Sequence, residues 1–347
     1  MDTGACGTTT SDRVLVTGAS GFIGLHLVLR LLERGLSVKA MSNRPNQALA
    51  ELARTFPALT TVHGDLVTMY QSDLDKLVGE ASVVYHLAGL VSYQKRDLER
   101  QRLVNVEGTR KVADSAARMG VRRFVHTSSI AAMGIPVKDG DVADESLVYN
   151  LAGLGLGYCD SKQEAELVVQ GFARAGLNAV ILSPGIIFGE GDNHPHHFRI
   201  FAAMSRGNSL CVPKGGIPFS DINDVIDAHV SALDLGRSGE RYCLVSANRT
   251  FKQAAETFAK LYGGRRPFFE IPPALTLLAG HFSESILYPL GFQNGLTRQQ
   301  AYLANKKIFF ASDKAVAELA FKPTAFEQTI MRTAPYYLGQ TLPLVSQ

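Results

Sequence analysis

Three glycines, Gly18, Gly21 and Gly24, follow directly on the apolar run Val14, Leu15, Val16 and Thr17, and an amphipathic pattern (Phe22, Ile23, Leu27, Leu31) starts inside them. This order predicts a short buried strand, a tight turn and a helix. Such a turn presents an open helix N-terminus, where unpaired N–H groups and the positive end of the dipole favour an anion. Glycine is needed where the chain turns sharply, or where backbone must approach a ligand with no Cβ between them. The spacing is G-x-x-G-x-x-G rather than the G-x-G-x-x-G dinucleotide fingerprint. A glycine turn of this kind also serves helix–strand packing, so cofactor and packing readings both stand at this point.

The downstream pattern decides the fold class. Short apolar runs at 13–17, 37–41, 60–63, 82–86, 123–127 and 179–182 alternate with helical stretches at 22–34, 47–55, 98–119 and 162–175. Gly35, Gly120 and Gly176 close three of those helices. Alternating strands and helices predict an α/β fold with a doubly wound parallel sheet, a Rossmann fold, and a ligand at the carboxyl ends of the strands. After Pro184 the rhythm changes to loops rich in Gly, Pro, His and Asn, a helix at 222–235, a strand at 241–245 and a helix at 251–261. The expected organisation is a polar tail over 1–11, a dinucleotide-binding domain over 12–183 with returning segments at about 219–247, and a smaller substrate-binding lobe over 184–347.

Composition narrows the function classes. The 347 residues carry 35 Lys+Arg against 32 Asp+Glu, and a net charge of +3 is no footprint for nucleic acid or a membrane surface. Four scattered cysteines without a C-x-x-C pair predict neither a disulfide framework nor a zinc site and fit a reducing cytoplasm. The tail lacks the regions of a signal peptide, and no uncharged run reaches membrane-helix length.

Five further stretches carry chemistry. Tyr158 and Lys162 are four residues apart, which puts them one turn apart on one helix face. A nearby ammonium favours the phenolate and lowers the phenol's pKa, giving a proton donor and acceptor near neutral pH. An exposed Tyr and Lys on an ordinary helix is the bland alternative. Thr127, Ser128 and Ser129 end an apolar strand, where a hydroxyl faces the crevice or merely satisfies backbone groups. Asp65 and Leu66 follow the third strand, Asp65 as an adenine contact or a turn cap. Leu87, Ala88 and Gly89 end the fourth strand with small residues that let a flat ligand lie close to backbone. The end of the second strand, Ser42-Asn43-Arg44, has no acid for an NAD ribose, and Arg44 suits a 2′-phosphate.

Together, in this order, these stretches closely resemble the extended short-chain dehydrogenase/reductase family (the epimerase/dehydratase superfamily), from about residue 12 to 338. Asn105-Val106-Glu107-Gly108-Thr109 and Pro184-Gly185-Ile186-Ile187-Phe188-Gly189 are further matches to the family, and the C-terminal Ser312-Asp313-Lys314-Ala315 and Asp221-Ile222-Asn223-Asp224-Val225 most resemble its dihydroflavonol-reductase / 3β-hydroxysteroid-dehydrogenase branch. The resemblance implies a ketone or aldehyde reductase, or the reverse alcohol oxidation. Tyr158 is then the general acid, Lys162 its partner and a ribose ligand, Ser129 the residue that orients the carbonyl, and Asn105 a support for the proton relay. Gly18, Ser20, Gly21, Phe22, Ile23 and Gly24 hold the pyrophosphate, Asp65 and Leu66 the adenine, and Leu87, Ala88 and Gly89 line the crevice. Pro184 to Ile187 bracket the nicotinamide. NADP(H) is favoured over NAD(H) through Arg44. The alternatives are an NAD-dependent nucleotide-sugar epimerase or dehydratase and a non-catalytic NADP(H) sensor. Family analogy also implies a homodimer through the helices at 98–119 and 162–175.

Other residues receive structural readings. His194, His196 and His197 have no acidic or cysteine companions and are read as a loop, not a metal site. His86 and His126 are read as satisfied core histidines, and Cys159 as packing. The apolar segment 272–292 reads as core, as a pocket wall or as a surface lying on a membrane, and core plus pocket is the expectation.

Overall fold

The computed structural model describes residues 12–192, 211–262, 265–290 and 296–339. The tail and the three loop histidines lie outside them. Five strands and their connections build the first half: β1 (Arg13–Thr17), α1 (Phe22–Glu33), β2 (Ser37–Ser42), α2 (Gln47–Thr55), β3 (Leu59–His63), α3 (Gln71–Gly79), β4 (Val83–His86), α4 (Leu98–Gln101), α5 (Gly108–Arg118) and β5 (Arg123–Thr127). A short β6 (Val142–Ala143), the long α6 (Gly157–Arg174) and β7 (Ala179–Pro184) follow. The second half holds β8 (Ile186–Phe188), β9 (Cys211–Pro213), β10 (Gly216–Asp221), α7 (Ile222–Ser231), β11 (Arg241–Leu244), β12 (Ala247–Thr250) and α8 (Phe251–Tyr262). It ends with β13 (Phe269–Ile271), α9 (Pro273–Phe282), α10 (Arg298–Ala304), β14 (Phe309–Phe310), α11 (Asp313–Leu319) and α12 (Phe326–Tyr337).

Seven strands form one sheet in the order β11-β7-β5-β4-β1-β2-β3, and every pairing is parallel. Strand order reverses between β1 and β4, which makes their carboxyl ends the ligand crevice of such a sheet. Both faces are buried: one core gathers Val14, Val16, Leu27, Leu31 and Tyr85, the other Leu15, Leu74, Val84, Val112 and Phe124. The six expected strands are all present, and 241–244 returns to the sheet edge as β11. Helix α3 is an addition to the sequence reading, held by Leu74, Leu77 and Val78. Helix α6 starts at Gly157, five residues before the expected 162, and so includes Tyr158 in its first turn. The helix expected over 98–119 is interrupted by a π-helical stretch, Arg102–Glu107, which contains Asn105.

The segment after Pro272 departs from the expected core. Only Thr276, Gly280 and Ser283 are buried between Pro273 and Leu290, while Leu275, Leu278, Phe282, Ile286 and Leu290 are exposed. Gly280 sits where a Cβ would come within 2.8 Å of Ala301. Helix α9 thus buries its small, polar stripe against α10 and turns apolar residues outward.

Three histidines couple this sheet to pH. Burial pushes His86 down to about 3, with the charge on Lys162 adding to it, and His229 to about 4. Burial also holds His126 well below the ordinary 6.5. All three stay neutral in the fold and take a proton on unfolding below pH 6.5. Their contribution is therefore complete above 6.5 and is lost as pH falls towards 4. At about 1.4 kcal/mol per pH unit for each group, the combined loss reaches roughly 4 kcal/mol per unit. The urea midpoint is expected to fall clearly between pH 7 and pH 5; equal midpoints would contradict the assignment.

Candidate active site

The glycine loop is built for close approach. Gly18 adopts φ 71°, and a Cβ on it would lie 2.6 Å from the Ala88 amide nitrogen. A Cβ on Gly24 would lie 2.8 Å from Ala19 Cα. The Gly21 amide donates to Gly18 O at 3.0 Å, and the Ala19 amide donates to Met41 O at 3.1 Å, which ties the loop to β2. Gly21 is the N-cap of α1 and supplies no side-chain bond, and the first-turn amides have no intrahelical partner. Ser20, Phe22 and Ile23 stand at this open helix start, a kind of site that could hold an anion.

The neighbouring strand ends converge on the same crevice. Thr17 Oγ1 accepts from the Ala88 amide at 3.4 Å and lies 2.8 Å from His86 Nδ1. His86 Nε2 lies 2.9 Å from Thr109 Oγ1, which donates to Asn105 O at 2.5 Å. Asn105 spends its side chain on positioning: Oδ1 accepts from the Leu90 amide at 2.7 Å, and Nδ2 donates to Leu90 O and to Ser161 Oγ. A Cβ on Gly89 would meet Asn105 Oδ1 at 3.4 Å. His86 is the satisfied core histidine expected. His126 is not: it stacks on His86 at 5.5 Å, and neither of its ring nitrogens has a hydrogen-bond partner among the described residues.

Helix α6 holds the Tyr–Lys pair. Tyr158 and Lys162 share one face, and Glu166 continues it a turn later. Ser129 lies close enough to the phenol to favour its ionised form, and its Oγ accepts from the Ala131 amide at 3.2 Å. Lys162 Nζ donates to Thr127 O at 2.8 Å, so the lysine pins the strand end that bears Ser128 and Ser129. Ser128 Oγ is buried without a partner. In the protein alone, burial pushes Tyr158 up to about 12, with Ser129 opposing it. Burial also lowers Lys162 to about 8, against the charge of Glu166. The phenolate expected from the Tyr–Lys spacing is thus replaced by a firmly protonated phenol beside a loosened ammonium. The cause is burial of the phenol, while the ammonium spends a hydrogen bond on the Thr127 carbonyl.

Two contributors were missed in the sequence. Glu166 is buried, accepts from Ser183 Oγ at 3.1 Å and pairs with Arg241 at 3.3 Å. Its signal was legible as a third residue on the Tyr158–Lys162 stripe. Tyr93 packs edge-on against Tyr158, ring centroids 5.7 Å apart, from a loop with no periodic signal.

The remaining candidates line the rim. The Gly185 amide donates to Ser220 Oγ at 2.9 Å and β8 pairs with β10, so that Pro184 ends β7 and Ile187 lies in β8; Ile187 and Leu87 pack on one core. Asp65 Oδ1 accepts from the Val67 amide at 2.9 Å, a turn cap, and Leu66 is buried beneath it. Arg44 is exposed in the β2–α2 turn, where Ser42 Oγ donates to its carbonyl at 2.9 Å.

A model of the NAD dependent epimerase/dehydratase family matches residues 14–244. The chain belongs to this family, the extended short-chain dehydrogenases/reductases. It is an NAD-binding oxidoreductase fold and an enzyme. A 3-beta-hydroxysteroid dehydrogenase of Mycolicibacterium neoaurum is 34% identical, covering 98% of this chain and 95% of that protein. A putative dihydroflavonol 4-reductase of Synechocystis is 29% identical over 92% and 93% of the two chains. A UDP-glucuronic acid 4-epimerase of Bacillus cereus, solved with its substrate and NAD, superposes at TM-score 0.73 and 20% identity, over 95% of this chain and 100% of that one. This last likeness is one of fold. Cys159 is buried with Leu151 and Leu156 as a packing residue of the family's α6.

Proposed function

We propose that this extended short-chain dehydrogenase/reductase reduces a ketone or aldehyde of fairly apolar character, with NADP(H). The observation that carries the reading is Tyr158 beside Ser129 and one helical turn from Lys162, whose ammonium holds the Thr127 carbonyl, at the carboxyl ends of the strands next to the glycine cradle. The nicotinamide, when bound, supplies the hydride. Ser129 donates to the carbonyl oxygen and orients it. Tyr158 gives its proton to that oxygen as negative charge develops there. A phenol held at about 12 is protonated at neutral pH and still more acidic than an alcohol, which supports the reductive direction. Lys162 holds the Thr127 carbonyl and so the Ser129 position. Tyr93 covers the phenol edge and excludes water from it. Names of the steroid-dehydrogenase and dihydroflavonol-reductase relatives support an apolar carbonyl substrate.

A panel of apolar ketones and aldehydes followed by nicotinamide absorbance tests this. Steady NADPH consumption with at least one of them is expected; none, with every compound, overturns it. The preference for NADP(H) rests on Arg44, exposed and facing no acid at the end of β2. Arg44→Ala is expected to weaken NADPH binding roughly 10- to 100-fold, as loss of a charge-assisted phosphate contact does, and to leave NADH binding unchanged. Equal effects on the two would exclude the assignment. A homodimer through α5 and α6 is part of the same proposal, by analogy with the family.

A further inference from the structure

We propose that residues 265–290 form a surface that docks on a lipid bilayer carrying anionic headgroups. The first ground is which side of α9 faces out. Leu275, Leu278 and Phe282 lie along one side of α9, and Ile286 follows four residues on in the π-helical stretch Ser283–Leu287 that continues it. Their exposures are 56%, 64%, 54% and 46%. Phe268 and Phe269, just before the helix, and Leu290, just after it, are exposed as well. An ordinary surface helix buries such a stripe, whereas this one buries Thr276, Gly280 and Ser283. The Thr276 and Ser283 hydroxyls are left without partners in the process. Contiguous apolar surface of this kind marks an interaction site.

Charge selects the occupant. Arg265 and Arg266 precede the two phenylalanines and are exposed, and neither forms an ion pair among the described residues. Lys214 is exposed beyond Pro213, whose strand β9 pairs with β13. On the acidic side, Glu270 is half-buried, and Glu284 is held by Arg298 at 3.3 Å. The patch is therefore apolar and basic. A second copy related by a two-fold axis would bring the same cations to both sides, and such a surface is not its own complement. Apolar side chains entering the headgroup boundary, with arginines at the phosphates, match a monotopic surface. No described helix is long and apolar enough to cross a membrane, so the contact lies in the interface plane. The net charge of +3 hides this local concentration.

The patch is joined to the active site. Asn305 Nδ2 donates to Pro273 O at 3.3 Å, and Gln299 Nε2 donates to Gly155 O, just before α6 and Tyr158. Docking on a bilayer would thus bear on the segment that leads into α6, which suits a substrate that partitions into lipid. That consequence rests on the chemistry proposed above; the docking itself does not.

The chain has no tryptophan, so Phe282→Trp supplies a single reporter. The full-length protein is mixed with phosphatidylcholine vesicles, with and without phosphatidylglycerol. Sedimentation with the phosphatidylglycerol vesicles, a blue shift of the Trp emission and quenching by brominated acyl chains are expected. Arg265→Gln/Arg266→Gln is expected to weaken binding roughly 30-fold and to remove most of its salt dependence. Leu278→Ser/Ile286→Ser, both at exposed positions, is expected to weaken it roughly 100-fold with an unchanged circular dichroism melt. Absence of vesicle binding overturns the proposal. So does a Trp already shielded in a vesicle-free dimer. Vesicle binding unaffected by either double variant would do the same. No readout uses turnover, so loss of the catalytic reading leaves this result standing, and the reverse.

Discussion

Tyr158→Phe is expected to lower turnover by roughly a thousandfold or more while leaving the cofactor dissociation constant within a few-fold of wild type. Among the described residues the hydroxyl makes no hydrogen bond that holds the fold together, and the ring keeps its edge contact with Tyr93. Removing one oxygen therefore removes the proton donor and spares the packing. Positioned general acids contribute about 10²- to 10⁴-fold. The melting temperature is expected to stay level or rise slightly, because a buried polar group is deleted together with its desolvation cost. Stopped-flow reduction at saturating NADPH, with a parallel cofactor titration, separates the two effects. Comparable losses of binding and turnover would mean that Tyr158 supports the crevice rather than the chemistry.

The second large effect belongs to the glycine loop. Gly18→Val is expected to cost about 3 kcal/mol or more of stability and to weaken cofactor binding at least about a hundredfold. Two causes add. The backbone is at φ 71°, where a β-branched side chain is strained. The new Cβ would also stand 2.6 Å from Ala88 N and 2.8 Å from the Leu87 carbonyl carbon, backbone atoms at the end of β4 that can move only by parting β4 from β1. That gap is where the pyrophosphate sits in the proposed complex. If the valine variant fails to fold, Gly18→Ala serves in its place, with a smaller loss of the same kind in the urea midpoint and the cofactor titration. Wild-type affinity in either folded variant would remove the loop from the site.

The sheet was legible because its strands are buried on both faces and read as continuous apolar runs. Helix α2 was legible to the residue because Asn46 Oδ1 caps it at the Leu49 amide. The start of α6 was not. Gly153, Gly155 and Gly157 look like chain breakers, yet Gly157 is helical and leaves room for Leu98, a tertiary demand no local pattern carries. The Tyr158–Lys162 pair was legible as spacing, but its electrostatics were not, since the direction of Lys162 Nζ towards Thr127 O depends on where β5 ends. The outward face of α9 was hidden for a related reason. A run of Leu, Ile and Phe states what prefers to leave water, not which neighbour is present to receive it. Only the fit of Gly280 against Ala301 reveals which side the fold has claimed.

The central claim is net carbonyl reduction in the Tyr158 crevice. Its most direct test follows deuterium from C4-deuterated NADPH into an apolar ketone, with both products counted. One deuterium in each alcohol formed, one oxidised nicotinamide per turnover, and loss of both in Tyr158→Phe are the predicted result. A protein that arrives with NAD tightly bound, inverts a UDP-sugar and leaves the nicotinamide unchanged at the end of each cycle would contradict it.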